Sequence, residues 1–305
     1  MHIPSKIPTS QHAIHVLGAA CGRGANDPHC AHGPQSLRSG GLEPTLRRSG
    51  LDLQWRAMLR AHDDAAHSAV DVIADLCRRL AEGVGDALAA GARFTVLGGD
   101  HSCAIGTWSG AYMALRDEGP IGLVWIDAHL DSHTPETSPS GNVHGMPLAC
   151  LLGYGARPLT ALAGPGPALD PAHVCVVGVR SFEHSERELL QRLGVRVFFM
   201  DECQRRGLSA VMADAIAIAR NGTAGFGVSI DLDAVDPRDA PGVSLPVAGG
   251  LRGLDLAAAL QALPNSNDFL GIEIAEFNPY RDDNRMTARL VEHLLAAGLS
   301  REEQP

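Results

Sequence analysis

Lysine is nearly missing from this chain. Lys6 is the only one among 25 basic residues, and the rest are arginines. That excludes Schiff-base chemistry in the core and a Walker P-loop, whose glycines are followed by lysine. No G-x-G-x-x-G follows an expected strand and opens a helix, so a Rossmann cofactor site has no support. The cysteines, Cys21, Cys30, Cys77, Cys103, Cys150, Cys175 and Cys203, are odd in number, widely spaced and free of any C-x-x-C. They fit neither a disulfide framework nor a structural zinc site. They read as buried thiols in a reducing compartment.

Two further absences concern location and charge. Residues 1–19 lack the uninterrupted apolar stretch of a signal peptide. No run of about 18 apolar residues occurs anywhere. A cytoplasmic protein without a membrane partner is expected. The chain also lacks a basic excess: 25 Lys+Arg stand against 35 Asp+Glu, for a net charge of −10. A nucleic-acid-binding surface is thereby excluded as the main function. The acidic balance suits cationic ligands or metal ions.

The 305 residues, 45% of them hydrophobic and 20% charged, are ordinary for a globular protein. Short apolar runs at residues 13–18, 94–98, 121–127, 174–179, 195–200, 225–233 and 269–277 read as strands buried on both faces. Helical patterns lie between them, at 69–90, 105–117, 144–153, 185–193, 208–219, 254–263 and 283–297. Such alternation predicts an α/β fold with a parallel sheet. No long linker, repeat or charge block interrupts it, and the Pro/Gly-rich stretch 153–171 reads as a surface excursion. Residues 1–305 are therefore expected to form one domain.

Polar residues gather at the C-terminal ends of these strands, where ligands bind in open parallel sheets. Gly98-Gly99-Asp100-His101-Ser102 follows one strand, with Ser102 a candidate helix cap. His101 alone reads more readily as a structural residue than as a ligand. In Asp127-Ala128-His129-Leu130-Asp131 the polar residues alternate with period two, which at a strand end puts all three on one side. Two carboxylates and an imidazole are costly to bury without a cation. Asp231 and Asp233 repeat the arrangement, and paired carboxylates repel unless protonated or metal-bound. Asp236, before Pro237, reads as a structural turn residue.

His101, Asp127, His129, Asp131, Asp231 and Asp233 are too many ligands for one catalytic zinc. They suit two divalent ions about 3.5–4 Å apart that share carboxylates. Oxygen-rich donors with two imidazoles favour Mn²⁺. The loop 132–144 carries small polar groups with His133 and His144, and Glu276 ends the last strand.

These segments resemble the ureohydrolase family, its arginase branch most closely. The matching blocks run in family order from Val16 to Pro279: GPQSLR (33–38), GGDHS (98–102), DAHLDSHTPETSPSGNVHG (127–145), SIDLDAVDP (229–237), PVAGGL (246–251) and EIAEFNP (273–279). The resemblance implies a three-layer α/β/α sandwich around a mainly parallel, eight-stranded sheet. It also implies a dinuclear Mn²⁺ centre and assembly into trimers or hexamers. His101 and Asp231 would complete one ion's shell, with Asp127, His129, Asp131 and Asp233 as the other ligands and bridges.

The implied reaction is hydrolysis of a guanidinium, most simply L-arginine to L-ornithine and urea, by hydroxide formed between the two ions. Asp131 would aim that hydroxide, Glu276 would pair with the guanidinium, and His144 would pass a proton to the leaving amine. Ser140 and Asn142 would bind the substrate α-carboxylate, with His133, Glu183 and Glu186 nearby. The sequence departs from the arginase pattern at His133, at Ser181-Phe182-Glu183 and at Leu245. These positions make another guanidino compound, agmatine or a guanidino acid, the alternative substrate. A metal-binding subunit without turnover is a third reading, because fold alone does not set function.

Overall fold

A computed structural model describes residues 13–62 and 66–300; Lys6 lies outside them. Eight strands form one parallel sheet: β1 (Ile14–Ala20), β2 (Leu53–Arg60), β3 (Arg93–Gly98), β4 (Ile121–Ile126), β5 (Val174–Val179), β6 (Arg196–Phe199), β7 (Gly225–Asp231) and β8 (Phe269–Ala275). Their spatial order is β2-β1-β3-β8-β7-β4-β5-β6, and every pairing is parallel. The α/β sandwich expected from the sequence is therefore present.

The helices are α1 (Gly33–Ser39), α2 (Leu42–Arg48), α3 (Ala69–Ala89), α4 (Ala104–Leu115), α5 (Pro147–Leu151), α6 (Arg157–Thr160), α7 (His184–Leu193), α8 (Met200–Arg206), α9 (Leu208–Arg220), α10 (Gly253–Leu260) and α11 (Met286–Leu299). They divide between two apolar layers. Leu37, Leu46, Met212, Leu256 and Leu294 bring α1, α2, α9, α10 and α11 onto one layer. Leu76, Leu80, Trp108 and Leu148 bring α3, α4 and α5 onto the other. Helix α3 shows how the sequence does this. Ser68 caps it by accepting the Asp71 N–H at 3.2 Å, and Val72, Ile73, Leu76, Leu80 and Val84 are buried. Gly227 lets Trp108 lie on the sheet, since a Cβ there would come within 2.2 Å of the indole ring.

Several expected boundaries move. The eighth strand, β2, was not among the seven expected. It is an edge strand of mixed exposure, so it lacks an apolar run. Helices α1 and α2 were likewise unanticipated. The expected strand 195–200 stops at Phe199, and Met200 opens α8. The expected helix 144–153 breaks into a 3₁₀ turn at Val143–Gly145 and α5, because Pro147 starts a new helix. Ser102 is not the cap it was taken for. Asp100 caps a 3₁₀ turn at His101–Cys103, accepting the Ser102 N–H at 3.0 Å.

All seven cysteines are buried and free. Burial pushes the Cys150 thiol up to about 12 and the Cys203 thiol up to about 11. A small thiol reagent at pH 8 should label about one thiol or fewer within minutes in the native protein, because thiolate is the reactive form. All seven should react after denaturation. Rapid labelling of two or more native thiols would contradict this burial. No described helix is long and apolar enough to cross a membrane.

Candidate metal centre and active site

Four neighbouring central strands, β3, β8, β7 and β4, end on the same edge of the sheet. Leu97, Ile274, Ile230 and Ile126 are in register across them, so the residues just beyond form one row. His101 follows β3, Asp127 follows β4, Asp231 ends β7 and Glu276 follows β8.

The same local device turns the chain at three of these ends. Asp100 accepts the Ser102 N–H at 3.0 Å, Asp127 the His129 N–H at 2.7 Å and Asp231 the Asp233 N–H at 2.8 Å. An aspartate that bonds the amide two residues on makes a tight turn without help from the sheet. This corrects the period-two reading of Asp127, His129 and Asp131. Strand β4 ends at Ile126, and the three residues lie in the turn beyond it. Asp131 has a φ of +48°, a left-handed conformation that costs about 1–3 kcal/mol for a non-glycine residue.

The turns gather the six candidate ligands into two groups. His101 Nδ1 lies 3.1 Å from Asp131 Oδ2, 3.2 Å from Asp231 Oδ2 and 3.4 Å from Asp127 Oδ2. His129 Nδ1 lies 3.1 Å from Asp233 Oδ2 and 3.5 Å from Asp127 Oδ1. Asp127 thus belongs to both groups. Asp131 sits with His101 and Asp231, in a different group from His129.

Hydrogen counting tests whether these residues fit metal ions. One imidazole nitrogen carries at most one hydrogen, yet three carboxylates converge on His101 Nδ1. Both His101 Nδ1 and Asp131 Oδ2 are buried without a hydrogen-bond partner. Burial, together with Asp127, pushes Asp131 up to about 7. Burial, Asp233 and Asp127 hold Asp231 well above the usual carboxylate range. Among the described residues, the side chains within ion-pair distance of these carboxylates are His101 and His129. Divalent cations at the two groups would satisfy the orphaned atoms and offset the crowded charge, so the residues fit them.

Surrounding groups lock the ligands in place. The Trp125 indole donates to Asp127 Oδ2 at 2.8 Å, and its ring stacks on His101 with centroids 4.2 Å apart. The Arg180 guanidinium donates to the Asp233 carbonyl at 2.7 Å and to the Val247 carbonyl at 2.7 Å. It fastens the second ligand turn to the loop that carries Leu245. Asp236 is structural, as its sequence context predicted: it accepts from the Gly249 N–H at 2.8 Å and pairs with Arg238 at 2.7 Å.

A cleft of about 190 Å³ opens over the two groups. Glu276 stands beside them with a φ of +65°. Its Oε1 accepts the His101 N–H at 3.0 Å and meets His144 Nδ1 at 3.0 Å. Against the effect of burial, Glu276 raises His144 to about 9. His144 is itself anchored: its N–H donates to the Gly24 carbonyl at 3.1 Å, and Gly24 donates to Asp100 Oδ2 at 2.9 Å. A Cβ on Gly24 would come within 2.7 Å of the Asp100 carboxylate, so glycine permits this approach.

The far wall holds the remaining expected site residues. Ser140, Asn142, His133, Glu183 and Glu186 all line the cleft. His133 Nε2 lies 3.0 Å from Glu183 Oε2. Glu186 lines the cleft as expected and also braces it. Its two oxygens accept the Ser132 N–H at 3.1 Å and the Glu183 N–H at 3.0 Å, the latter closing a capping box on α7. Its visible work is to hold the wall.

The sequence reading passed over Ser229, Glu273, Trp125 and Arg180. One signal was available for Glu273, a lone carboxylate in the middle of the apolar run Phe-Leu-Gly-Ile-Glu-Ile-Ala.

Comparison with known proteins decides the family. A sequence model of the arginase family matches residues 12–299. This chain belongs to the arginase family. It is 36% identical over 288 residues to an arginase from Brevibacillus brevis, covering 92% of this chain and 96% of that one. It is 35% identical over 292 residues to an arginase from Bacillus caldovelox, covering 93% and 97%. The crystal structure of arginase from Bacillus subtilis superimposes with a TM-score of 0.88 at 31% identity, covering 96% of this chain and all of that one. The ureohydrolase resemblance read from the motifs is therefore confirmed, and the chain is a metal-dependent enzyme of the arginase type.

Proposed function

We propose that this arginase-family enzyme hydrolyses L-arginine to L-ornithine and urea with two Mn²⁺ ions. His101, Asp127, Asp131 and Asp231 would hold one, and Asp127, His129 and Asp233 the other. The observation that carries the reading is that Glu276 and His144 line one cleft of about 190 Å³ together with residues of both ligand groups, the first of which holds the orphaned His101 Nδ1 and Asp131 Oδ2. The relatives named arginase support the choice of substrate.

When bound, the ions would supply charge stabilisation and a water ionised near neutral pH. The protein's own groups then have distinct tasks. Glu276 offers a planar carboxylate to the forked guanidinium. Asp131, besides holding an ion of the first group, would accept a hydrogen bond from the attacking water and set its direction. As the guanidinium C–N bond breaks, the departing amine needs a proton. His144, raised to about 9, arrives protonated and is placed to give it.

Of the side chains lining the cleft, only Pro139 and Leu245 are apolar. Ser244 ties Leu245 to the Glu276 strand end, accepting from Asn278 at 3.3 Å. Leu245 would therefore flank the methylene stem of the substrate. Ser140 and Asn142 would receive the α-carboxylate, and Glu183 the α-ammonium, with His133 holding Glu183 in place. Cytoplasmic location and a trimer or hexamer belong to the same reading.

Urea release from a panel of guanidino compounds tests it. Metal-stripped protein should be inactive and recover with Mn²⁺. L-Arginine should exceed agmatine and guanidino acids by at least about 100-fold in kcat/KM, because the wall's polar groups are left unpaired by analogues lacking the α-substituents. Preference for agmatine would mean that His133 and Glu183 serve a different substrate.

A further inference from the structure

Glu273 is fully buried in the centre of β8, paired in register with Val96 on one side and Ser229 on the other. It lies outside both ligand groups and does not line the cleft. Its Oε1 lies 3.0 Å from Ser229 Oγ, and Ser229 Oγ lies 2.9 Å from His101 Nε2. Glu273 Oε2 has no hydrogen-bond partner, and the Thr107 hydroxyl acts on the carboxyl group. Among the described residues, His101 is the one cation-forming side chain within ion-pair distance of Glu273, at 3.7 Å.

Hydrogen bookkeeping gives this row a direction. The Ser229 hydroxyl has a single hydrogen. With an ion on His101 Nδ1, the ring hydrogen is on Nε2 and faces Ser229 Oγ at 2.9 Å, which leaves the Ser229 hydrogen for Glu273 Oε1 at 3.0 Å. His101 Nδ1 is left as a bare lone pair facing Asp127, Asp131 and Asp231. A metal-ligating imidazole needs that state, commonly enforced through its other nitrogen.

We infer that Glu273 is a positioning residue of the metal centre, selecting through Ser229 the His101 tautomer that presents Nδ1 as a ligand. The inference rests on the two-ion reading above. An uncharged partner at 273 removes the direction. A glutamine amide can donate to Ser229, which then donates to Nε2 and sends the ring hydrogen to Nδ1, into the ligand position.

The test is a stepwise Mn²⁺ titration of metal-stripped full-length protein, following free Mn²⁺ by electron paramagnetic resonance. Wild type should bind two ions. Glu273→Gln should weaken one of them by about 10- to 100-fold and leave the other, at His129 and Asp233, within about threefold. Its metal-free melting temperature should match or exceed wild type, because a buried charge is gone; a merely structural role predicts a fall instead. Ser229→Ala should weaken the same ion, and the double variant should lose no more than the worse single one. Should Glu273→Gln not fold, Ser229→Ala carries the same expectation alone. Two ions bound by both variants with wild-type affinity would overturn this inference only. A wild-type protein that binds no Mn²⁺ would overturn the two-ion reading and this inference with it.

Discussion

Asp231→Asn is expected to abolish urea release while making the metal-free protein more stable. The two effects have one cause. Asp231 is grouped with Asp127 and Asp131, feels Asp233 as well, and among the described residues has His101 as its ion-pair partner. Burial and those neighbours hold it well above the usual carboxylate range. Such crowding serves only when a cation sits among the carboxylates. Asparagine keeps the local fold, because its carbonyl oxygen can still accept the Asp233 N–H that Asp231 accepts at 2.8 Å. It removes a buried charge, a relief of order 1 kcal/mol or more, which should raise the metal-free melting temperature by about 2–4 °C. It also removes an anionic ligand. Metal assistance provides several kcal/mol at the transition state, and each 1.36 kcal/mol is about tenfold in rate. The loss in kcat should therefore reach at least about a thousandfold. Thermal melts of stripped protein and urea assays after Mn²⁺ loading check both halves. A rate within tenfold of wild type, or a lower melting temperature, would defeat the assignment.

That variant also bears on what could be read from sequence. The residue types at the site were legible, because a carboxylate directly after an apolar strand is expensive unless it binds something. Asp127 and Asp231 stood out for that reason. Their geometry was not legible. Strand alternation put His129 and Asp131 on one side, whereas the carboxylate–amide turn and the left-handed backbone at Asp131 send them to different groups. Strand β2 was missed because an edge strand needs little apolar surface. The supporting shell was hardest to see. Ser229 and Trp125 look like ordinary strand residues, and only register across β4, β7 and β8 shows them touching the ligands. Arg180 acts through backbone carbonyls, which carry no mark of residue type. The expected substrate contact of Glu186 gave no hint of its second task, which is to accept the Ser132 and Glu183 amides while lining the cleft.

Glu276→Gln should cost about 10²–10³ in kcat/KM for arginine, with Mn²⁺ binding retained. Glu276 is in neither ligand group, so its removal should leave the ions in place. Its Oε1 accepts the His101 backbone N–H and holds His144 Nδ1, both at 3.0 Å. One carboxylate thus joins the His101 turn to His144, the proposed proton donor, at the place proposed for the guanidinium. Glutamine can keep the bond from the His101 amide, but it offers no charge to the guanidinium or to His144. Losing one partner of a buried ion pair costs about 3–5 kcal/mol, and partial replacement by the amide brings the expected loss toward the lower end. The effect on His144 gives the test its resolving power. Without the carboxylate, burial is opposed only by Asp100 and Asp131, the proton affinity of the imidazole falls, and less of the donor would reach the reaction protonated at neutral pH. Adding His144→Ala to Glu276→Gln should then cost far less than His144→Ala costs in the wild type. Coupling of 1–3 kcal/mol between neighbours that share a task is the ordinary scale. Fully additive losses would mean that Glu276 binds substrate without governing His144, and proton delivery would have to be assigned to another group in the cleft.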